Sequence, residues 1–376
     1  MNKIKFVDPS VTQIEKKNLN KALKGGWLSF GSYVKNLENK ICKITKVKNC
    51  ITVNNGTNAI LLILMSLNFK RGDEVIVPSF CYISPVHMLK LMGLVPVPVD
   101  IELDNLQIST EKIEKKISKK TKAILLIHNY GSICDLQKVK KIAQKKNLFI
   151  IEDISEVLLS KHNNNYVGNC SWYNKEKIIS YASLHASKTL IAGEGGIIMT
   201  NSKKISSKLR ILRNHGQKGE KAYFYEMNGG NFRLSNLLAS IGYSQLLRLK
   251  EILRNKKKLD NCYKRNLSKN SNLSLMEEPK KFSPIKFGFP ILFKKKNVRD
   301  KIMKILNKNS TLCRPSFYSL NRLKHLNIYK NKKSSKQDFK KAEIATDDVL
   351  VLPIHNNLGT KEVDSICLKI NNYFKN

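Results

Sequence analysis

The chain has 376 residues, of which 41% are hydrophobic and 26% are charged. This composition predicts a soluble, folded protein of two domains, or of one large α/β domain with a smaller appendage, and it excludes a disordered chain. The longest apolar run, at 59–65, is too short to cross a bilayer, and the start of the chain lacks the apolar core of a signal peptide. Eight cysteines without a Cys-x-x-Cys pair are typical of reduced thiols. We therefore expect a cytoplasmic protein with neither a membrane span nor a metal site.

The net charge of +39 has two interpretations. One is an anionic partner, such as nucleic acid or a membrane surface. The other is a general enrichment in lysine, because only ten of the 68 basic residues are arginine, the better reader of bases and phosphates. We favour the second interpretation, since the lysines are spread along the whole chain. We expect no nucleic-acid partner, and a surface that helps to attract an anionic substrate.

Short apolar strands alternate with helices in the first 150 residues. After an amphipathic opening, the pattern predicts strands at 50–53, 74–77, 95–99, 122–127 and 148–151 and helices at 57–68, 82–92, 110–117 and 135–146. Nearly continuous apolar strands that alternate with helices indicate an α/β fold, with a mostly parallel central sheet and helices on both faces.

The rest of the chain is less regular. Its pattern predicts a polar loop at 163–177, strands at 178–183 and 196–200, one long helix from 234 into the 260s, a polar boundary around 267–284, a strand at 287–293, and helices at 298–306 and 360–374. We therefore predict a large domain at 1–255 and a small C-terminal α+β domain at 256–376.

Two residues carry the strongest chemical signal. Lys188 follows a predicted strand that ends in Ser183, and it precedes a Gly-Glu-Gly-Gly turn. An amine held between a strand end and a tight turn can be desolvated and form a Schiff base, whereas a lysine without such a context is usually a solvated surface residue. Asp153 ends the apolar segment LFIIED, at the sheet edge where α/β proteins bind ligands. It could bind Mg²⁺, act as a base, pair with a protonated pyridine nitrogen, or simply cap the next helix.

Two further motifs suit a planar phosphorylated cofactor. Gly56 and Thr57 lie between a predicted strand and a helix N-terminus, where main-chain N–H groups bind anions. Tyr82 follows the next strand and could present its ring to a planar group, although a core aromatic residue is an equally good interpretation. An anion-binding turn, an aromatic ring, a strand-end acid and a downstream lysine together match the requirements of pyridoxal 5′-phosphate (PLP).

The order of these motifs resembles the DegT/StrS-type sugar aminotransferases, PLP enzymes with the type I, aspartate-aminotransferase fold. The resemblance runs from GGWLSFGSYVKNLE (25–38) to VLPIHNNL (351–358) and includes NNGTNAILL, RGDEVIVPSFCYIS, HNYG, IED, GEGG, LRNHG and NFRLSN. It implies that Lys188 is the Schiff-base lysine, that Asp153 faces the pyridine nitrogen and that Tyr82 stacks on the ring. The implied phosphate contacts are Gly56, Thr57 and Ser183.

The resemblance also implies a shared active site and a substrate class. Asn231 matches a residue that reaches the phosphate of the neighbouring subunit, which implies a homodimer. Glu156 lies where much of the family has Gln or His, beside the cofactor's 3-hydroxyl; this residue and Asn236 resemble a subgroup that aminates GDP-4-keto-6-deoxymannose, with glutamate as donor. The implied substrate contacts are Trp27, Ser29, His185, Arg314 and Phe317.

Several alternatives remain open at this point. Ser316, Ser319 and Asn321 depart from the usual residues near the substrate, and the loop before Lys188 is about six residues longer than expected. A 3-keto sugar or a UDP- or dTDP-linked sugar could therefore be the acceptor. A related group of dehydratases has His in place of the lysine, so Lys188 argues against dehydration. The alternative of another class is a basic nucleic-acid-binding or regulatory protein.

Overall fold

Apolar strands form the centre of the fold, as the alternating pattern predicts. The structure is a computed structural model that describes residues 3–219, 223–328 and 336–375. The first half of the chain contains α1 (Gln13–Lys24), α2 (Ser32–Thr45), β1 (Asn49–Val53), α3 (Gly56–Ser66), β2 (Glu74–Pro78), α4 (Ser84–Leu91), β3 (Val95–Val99), α5 (Thr110–Lys116), β4 (Thr121–Ile127), α6 (Leu136–Lys145), β5 (Phe149–Asp153), β6 (Lys161–His162), β7 (Asn165–Tyr166) and β8 (Ile178–Ser183).

The second half completes the central sheet and adds a smaller one. Its elements are β9 (Gly196–Thr200), α7 (Lys203–Arg213), α8 (Asn236–Leu247), α9 (Leu249–Leu267), β10 (Leu273–Leu275), β11 (Phe282–Ser283), β12 (Phe289–Phe293), α10 (Val298–Lys308), β13 (Arg314–Pro315), α11 (Lys340–Asp348), β14 (Val349–Leu352) and α12 (Thr360–Tyr373).

The central sheet has seven strands in the order β1-β9-β8-β5-β4-β2-β3. Strand β9 is antiparallel to both of its neighbours, and the remaining pairs are parallel. Alternate strand residues enter two separate cores. One core contains apolar residues of α3, α4 and α7, and the other contains residues of α2, α6 and α8. A mostly parallel sheet with helices on both faces is therefore confirmed.

A four-stranded antiparallel sheet, β10-β12-β14-β13, lies in the C-terminal part of the chain. Its core includes apolar residues of α9, α10 and α12. Helix α9 runs without interruption across 255 and 256, so the two predicted domains would share this helix. The N-terminal segment also contacts the C-terminal part of the chain that contains the smaller sheet. The Ile4 N–H donates to the Ser310 carbonyl, and the Leu312 N–H donates to the Ile4 carbonyl, both at 2.8 Å.

Two sequence-based predictions are wrong in detail. The long helix predicted from 234 is two helices, because the backbone leaves helical geometry at Arg248, whose guanidinium is bound by Glu15 and Glu251. The segment predicted as a loop at 163–177 contains β7 near its start. This strand forms a hairpin with β6, and β6 also pairs with β11. Within the described residues, every helix is too short or too polar to cross a membrane.

Candidate active site

The carboxyl ends of β4, β5 and β8 meet at one edge of the central sheet, beside the N-terminus of α3. A cavity of about 560 Å³ opens there, and residues from the smaller sheet form its opposite wall. The cavity brings together ten of the predicted site residues: Gly56, Thr57, Tyr82, Asp153, Glu156, Ser183, His185, Lys188, Arg314 and Phe317.

Lys188 lies on the loop that joins β8 to β9. Because β9 is antiparallel to β8, this loop passes over the same sheet edge at which β8 ends. The Lys188 side chain is 16% exposed, and its Nζ donates to Glu156 Oε1 at 3.0 Å. The ring of Phe287 lies 4.1 Å from the same nitrogen. The amine therefore reaches the cavity between a carboxylate and an aromatic ring.

Asp153 ends β5 and is nearly buried. Its Oδ1 accepts from the Ser155 main-chain N–H at 2.9 Å, and its Oδ2 accepts from the Tyr181 hydroxyl at 2.8 Å. Burial, together with the charge of Asp153, raises the pKa of Tyr181 well above its usual value. The hydroxyl thus stays protonated and remains a donor, which holds the carboxylate in one orientation.

The turn between β1 and α3 leaves room for an anion. Helix α3 begins at Gly56, and the Asn55 side chain caps it by accepting from the Asn58 N–H at 2.8 Å. A Cβ atom at Gly56 would lie 2.9 Å from the Cβ of Ser183, so only glycine fits between β8 and the helix. The Thr57 hydroxyl contacts Ser84 Oγ at 2.7 Å. Main-chain N–H groups, hydroxyls and the helix dipole therefore converge on this corner.

Glu156 and the aromatic wall complete the cavity. Glu156 Oε2 accepts from the Tyr130 main-chain N–H at 2.8 Å, and the Tyr130 ring stacks on Phe317 with centroids 4.8 Å apart. Tyr82 is 57% exposed, with its ring centroid 6.1 Å from that of Phe317. An exposed Tyr82 ring at the cavity edge is available to a planar ligand.

Three predicted residues do not line this cavity. Trp27 is 67% exposed, and Ser29 is also exposed and contributes a main-chain carbonyl to the Asn236 N–H at 2.8 Å. Asn231 is exposed and pairs with Asn214 in an isolated antiparallel bridge. Their predicted roles stay predictions, and for Asn231 the predicted site is that of a second subunit.

The cavity also contains residues that the sequence analysis missed. Tyr181 could have been found, because it lies two residues before Ser183 on the same strand and so faces the same side. Phe287 lies at the start of a predicted strand without any chemical signal. Phe6 comes from the N-terminal segment, and its ring meets Phe287 edge-on with centroids 6.1 Å apart. Only tertiary packing brings these two rings to Lys188.

These residues fit PLP. The corner at Gly56 is open only because a Cβ is missing there, and it suits the phosphate. Asp153, with both oxygens already oriented by donors, suits a protonated pyridine nitrogen. Lys188 offers an amine that is mostly shielded from solvent.

Comparison with known proteins agrees with a PLP-dependent enzyme of the type I fold. The chain belongs to the DegT/DnrJ/EryC1/StrS aminotransferase family, whose sequence profile matches residues 9–371. The predicted family, the aminotransferase activity on sugars and the PLP cofactor are thereby confirmed. Among curated relatives, GDP-perosamine synthase of Escherichia coli O157:H7 is 32% identical, over 100% of this chain and 99% of the relative. GDP-perosamine synthase of Vibrio cholerae is 33% identical, over 99% of both chains.

Solved structures have the same fold. PseC of Helicobacter pylori, an aminotransferase of pseudoaminic acid biosynthesis, superposes with a TM-score of 0.92 at 24% identity, over 100% of both chains. The PLP form of Spr1654 from Streptococcus pneumoniae, described as a putative sugar aminotransferase, superposes with a TM-score of 0.90 at 24% identity, over 98% of both chains. The predicted fold is therefore confirmed along the whole chain.

Proposed function

We propose that the chain, as a cytoplasmic homodimer, transfers the amino group of glutamate to the 4-keto carbon of a GDP-linked 4-keto-6-deoxy sugar. The observation that carries this proposal is the similarity, along nearly the entire chain, to two GDP-perosamine synthases. Glu156 supports the same subgroup, because the resemblance associates a glutamate at this position with it. Its side chain contacts Lys188 Nζ at 3.0 Å. The lysine-rich surface would favour capture of both an acidic donor and a diphosphate.

The cavity residues divide the chemical work. When bound, PLP withdraws electrons from the carbon that carries the transferred amino group. Asp153 would keep a proton on the ring nitrogen, since its carboxylate is held in place by Tyr181 and Ser155. Lys188 would hold the cofactor and, once its Nζ is free, carry a proton from the α-carbon of the donor to the cofactor in the first half-reaction and from the cofactor to C4 of the sugar in the second. Glu156, which already accepts from this amine, would keep the released Nζ close to the reacting atoms.

The cofactor's phosphate would bind at the Gly56 corner. We expect Gly56→Ala to weaken PLP binding by about tenfold or more, because the added methyl group must displace Ser183, and overpacking of this kind costs roughly 1–3 kcal/mol. Titration of the cofactor-free protein with PLP, followed by absorbance, measures the Kd. Gly25→Ala is the matched control, since its added Cβ would meet nothing nearer than 3.4 Å. An unchanged Kd for Gly56→Ala would show that the phosphate does not bind at this corner.

The substrate assignment has a direct test. The purified protein is incubated with PLP, glutamate and a panel of 4-keto and 3-keto sugars linked to GDP, UDP or dTDP, and products are identified by mass spectrometry. We expect amination of the GDP-linked 4-keto sugar in preference to the others. Preferred amination of a UDP- or dTDP-linked sugar, or at C3, would contradict the proposed substrate and support that alternative instead. A colourless protein retained on DNA at moderate salt would contradict the enzyme function.

The shared active site predicts complementation between two damaged chains. We expect mixed dimers of Lys188→Ala and Asn231→Ala chains to recover up to about half of wild-type activity. In such a dimer, the site that uses the intact Lys188 borrows the intact Asn231 from the other chain, while the twin site carries both lesions. If Asn231 served its own chain, each site would carry one lesion and nothing would be restored.

Differently tagged chains allow the mixed dimers to be isolated by two affinity steps before the assay. The two parent homodimers are the controls, and the Asn231→Ala parent must be weak enough for recovery to be visible. Mixed dimers no more active than the average of their parents would show that Asn231 does not act across the interface.

A further inference from the structure

A second lysine is buried behind the cavity. Lys256 lies on α9 and is 3% exposed. Its Nζ donates to the main-chain carbonyls of Lys286 and Ile354, both at 3.0 Å. Among the residues that the structure describes, no carboxylate lies within ion-pair distance of this amine. A buried ammonium without a counter-ion is costly, whereas a neutral amine has two N–H groups for these two carbonyls.

Lys256 and Lys188 line the same small cavity of about 20 Å³. A cavity of this size can hold one water molecule if its walls are polar. Two wall residues carry buried polar atoms without hydrogen-bond partners, namely His355 Nδ1 and Asn356 Oδ1. A water in this cavity could link these atoms to the additional N–H that Lys256 gains with a proton.

None of the charged groups described around this cavity forms an ion pair with Lys256 that would fix its protonation state. Among the described residues that line this cavity, Asp8 contributes the only carboxylate, and it pairs with Lys5 at 3.3 Å. Burial lowers the pKa of His355, so this ring is neutral near pH 7; its Nε2 contacts the Lys5 carbonyl at 3.0 Å. On the far side, Glu156 contacts Lys188 Nζ at 3.0 Å. Lys188 must nevertheless be neutral whenever it acts as a nucleophile or base.

We propose that Lys188 and Lys256 share one proton across this small cavity. When Lys188 is needed as a free base, its Nζ gives up a proton, and that proton adds to the lone pair of Lys256 Nζ. The total charge of the two amines stays at one, and no oxidant, reductant or other co-reactant is consumed. This positioning role for Lys256 rests on the proposed function, since it takes Lys188 as the catalytic lysine.

The direction of the charge coupling supports this exchange. Burial, with a smaller contribution from the charge of Lys188, lowers the pKa of Lys256 from 10.5 to about 7. When Lys188 becomes neutral, that contribution disappears, and Lys256 binds a proton more tightly. Above about pH 7 Lys256 is therefore available as an acceptor, and below it the amine is already protonated. The exchange should operate above pH 7 and fail as the pH falls through that value.

The test is the reactivity of Lys188 in the full-length, cofactor-free protein. Trace acetylation with acetic anhydride at pH 7.5 modifies only neutral amines, and peptide mass spectrometry quantifies the product at Lys188. We expect Lys256→Met to lower acetylation of Lys188 by up to about tenfold, the equivalent of one pH unit, because the proton then has no second site. Lys257→Met is the matched control and should change nothing, since within the described part of the chain this exposed neighbour bonds only to Ser283 Oγ, at 2.9 Å.

Lys256→Gln distinguishes the loss of the proton-accepting amine from the loss of its hydrogen bonds to the two carbonyls. Its amide offers two N–H groups to the same carbonyls but no basic lone pair, so we expect the same loss as for Lys256→Met. Thermal unfolding checks that each variant is folded. Wild-type reactivity of Lys188 in Lys256→Gln, or an equal loss in Lys257→Met, would overturn the proposal.

Borohydride reduction of the holoenzyme distinguishes this inference from the proposed function. A pyridoxyl group on Lys188, with acetylation unchanged in both Lys256 variants, would end the proton-sharing proposal and leave the function intact. A pyridoxyl group on another lysine would instead overturn the assignment of Lys188, whatever the acetylation result.

Discussion

Lys188→Ala is expected to lower turnover by roughly four orders of magnitude, the upper range for loss of a positioned acid–base group. In the proposed function, the variant would lose both the covalent attachment of the cofactor and the amine that carries the proton. The Gly56 corner and Asp153 are untouched, so we expect PLP to remain bound, though not covalently. Steady-state assays with saturating PLP measure the loss, and borohydride reduction should leave the variant unlabelled while it labels Lys188 in the wild type.

The control for this variant is Lys122→Ala, which removes an exposed lysine from the start of β4, at the opposite edge of the sheet. It should retain wild-type turnover. The assignment of Lys188 is wrong if its alanine variant keeps more than about a tenth of the activity, or if the wild-type label is found on a different lysine.

Asp153→Asn is expected to retain the cofactor and to lose roughly 100- to 1,000-fold in turnover, or about 3–4 kcal/mol of transition-state stabilisation. An amide is isosteric with the carboxylate but carries no charge to stabilise a protonated ring nitrogen. The amide oxygen can still accept from the Ser155 N–H, and the amide NH₂ can donate to the Tyr181 hydroxyl oxygen, so the local fold should survive. Turnover and the absorbance of bound PLP are measured on the same preparation.

Asp135→Asn provides the comparison, because this exposed residue caps α6 through its side-chain oxygen and asparagine is an equally good cap. Near-normal turnover in both variants would mean that Asp153 only orients its neighbours. A loss of bound PLP in Asp153→Asn would also contradict the expectation, since it would assign the residue to binding rather than to chemistry.

The place of a residue in the cavity could be predicted where the signal is local. Lys188 could be placed there because the strand before it and the glycine turn after it lie within about ten residues, and Asp153 because it ends an apolar strand. The break at Arg248 was not visible, since the ion pair that it forms with Glu15 of α1 joins positions more than 200 residues apart. For the same reason, the contact between Phe287 and Lys188 could not be read from either segment alone.

The substrate end of the site is less predictable than the cofactor end. PLP places fixed demands on the protein, namely an anion corner, an acid and an amine, and each has a recognisable local setting. We expect a sugar nucleotide to be recognised through side chains on loops, and such residues have no spacing rule. Trp27 and Ser29, two predicted substrate contacts, do not line the cavity, whereas Lys188, Glu156 and Asp153 do. The roles of all five residues stay predictions.

The position of α3 in the fold has a consequence for the translation of the chain on the ribosome. This helix is apolar on nearly all sides, and it packs against β8, β9 and α7, which leave the ribosome more than 100 residues later. At translation rates of about 5–20 residues per second, the delay is roughly 5 to 25 s. Throughout that interval, the faces of α3 that β8, β9 and α7 cover in the folded protein stay exposed, although α4 can pack against the helix earlier. The long-range packing that buries this helix therefore leaves apolar surface exposed on the growing polypeptide, a condition that favours chaperone binding before folding is complete.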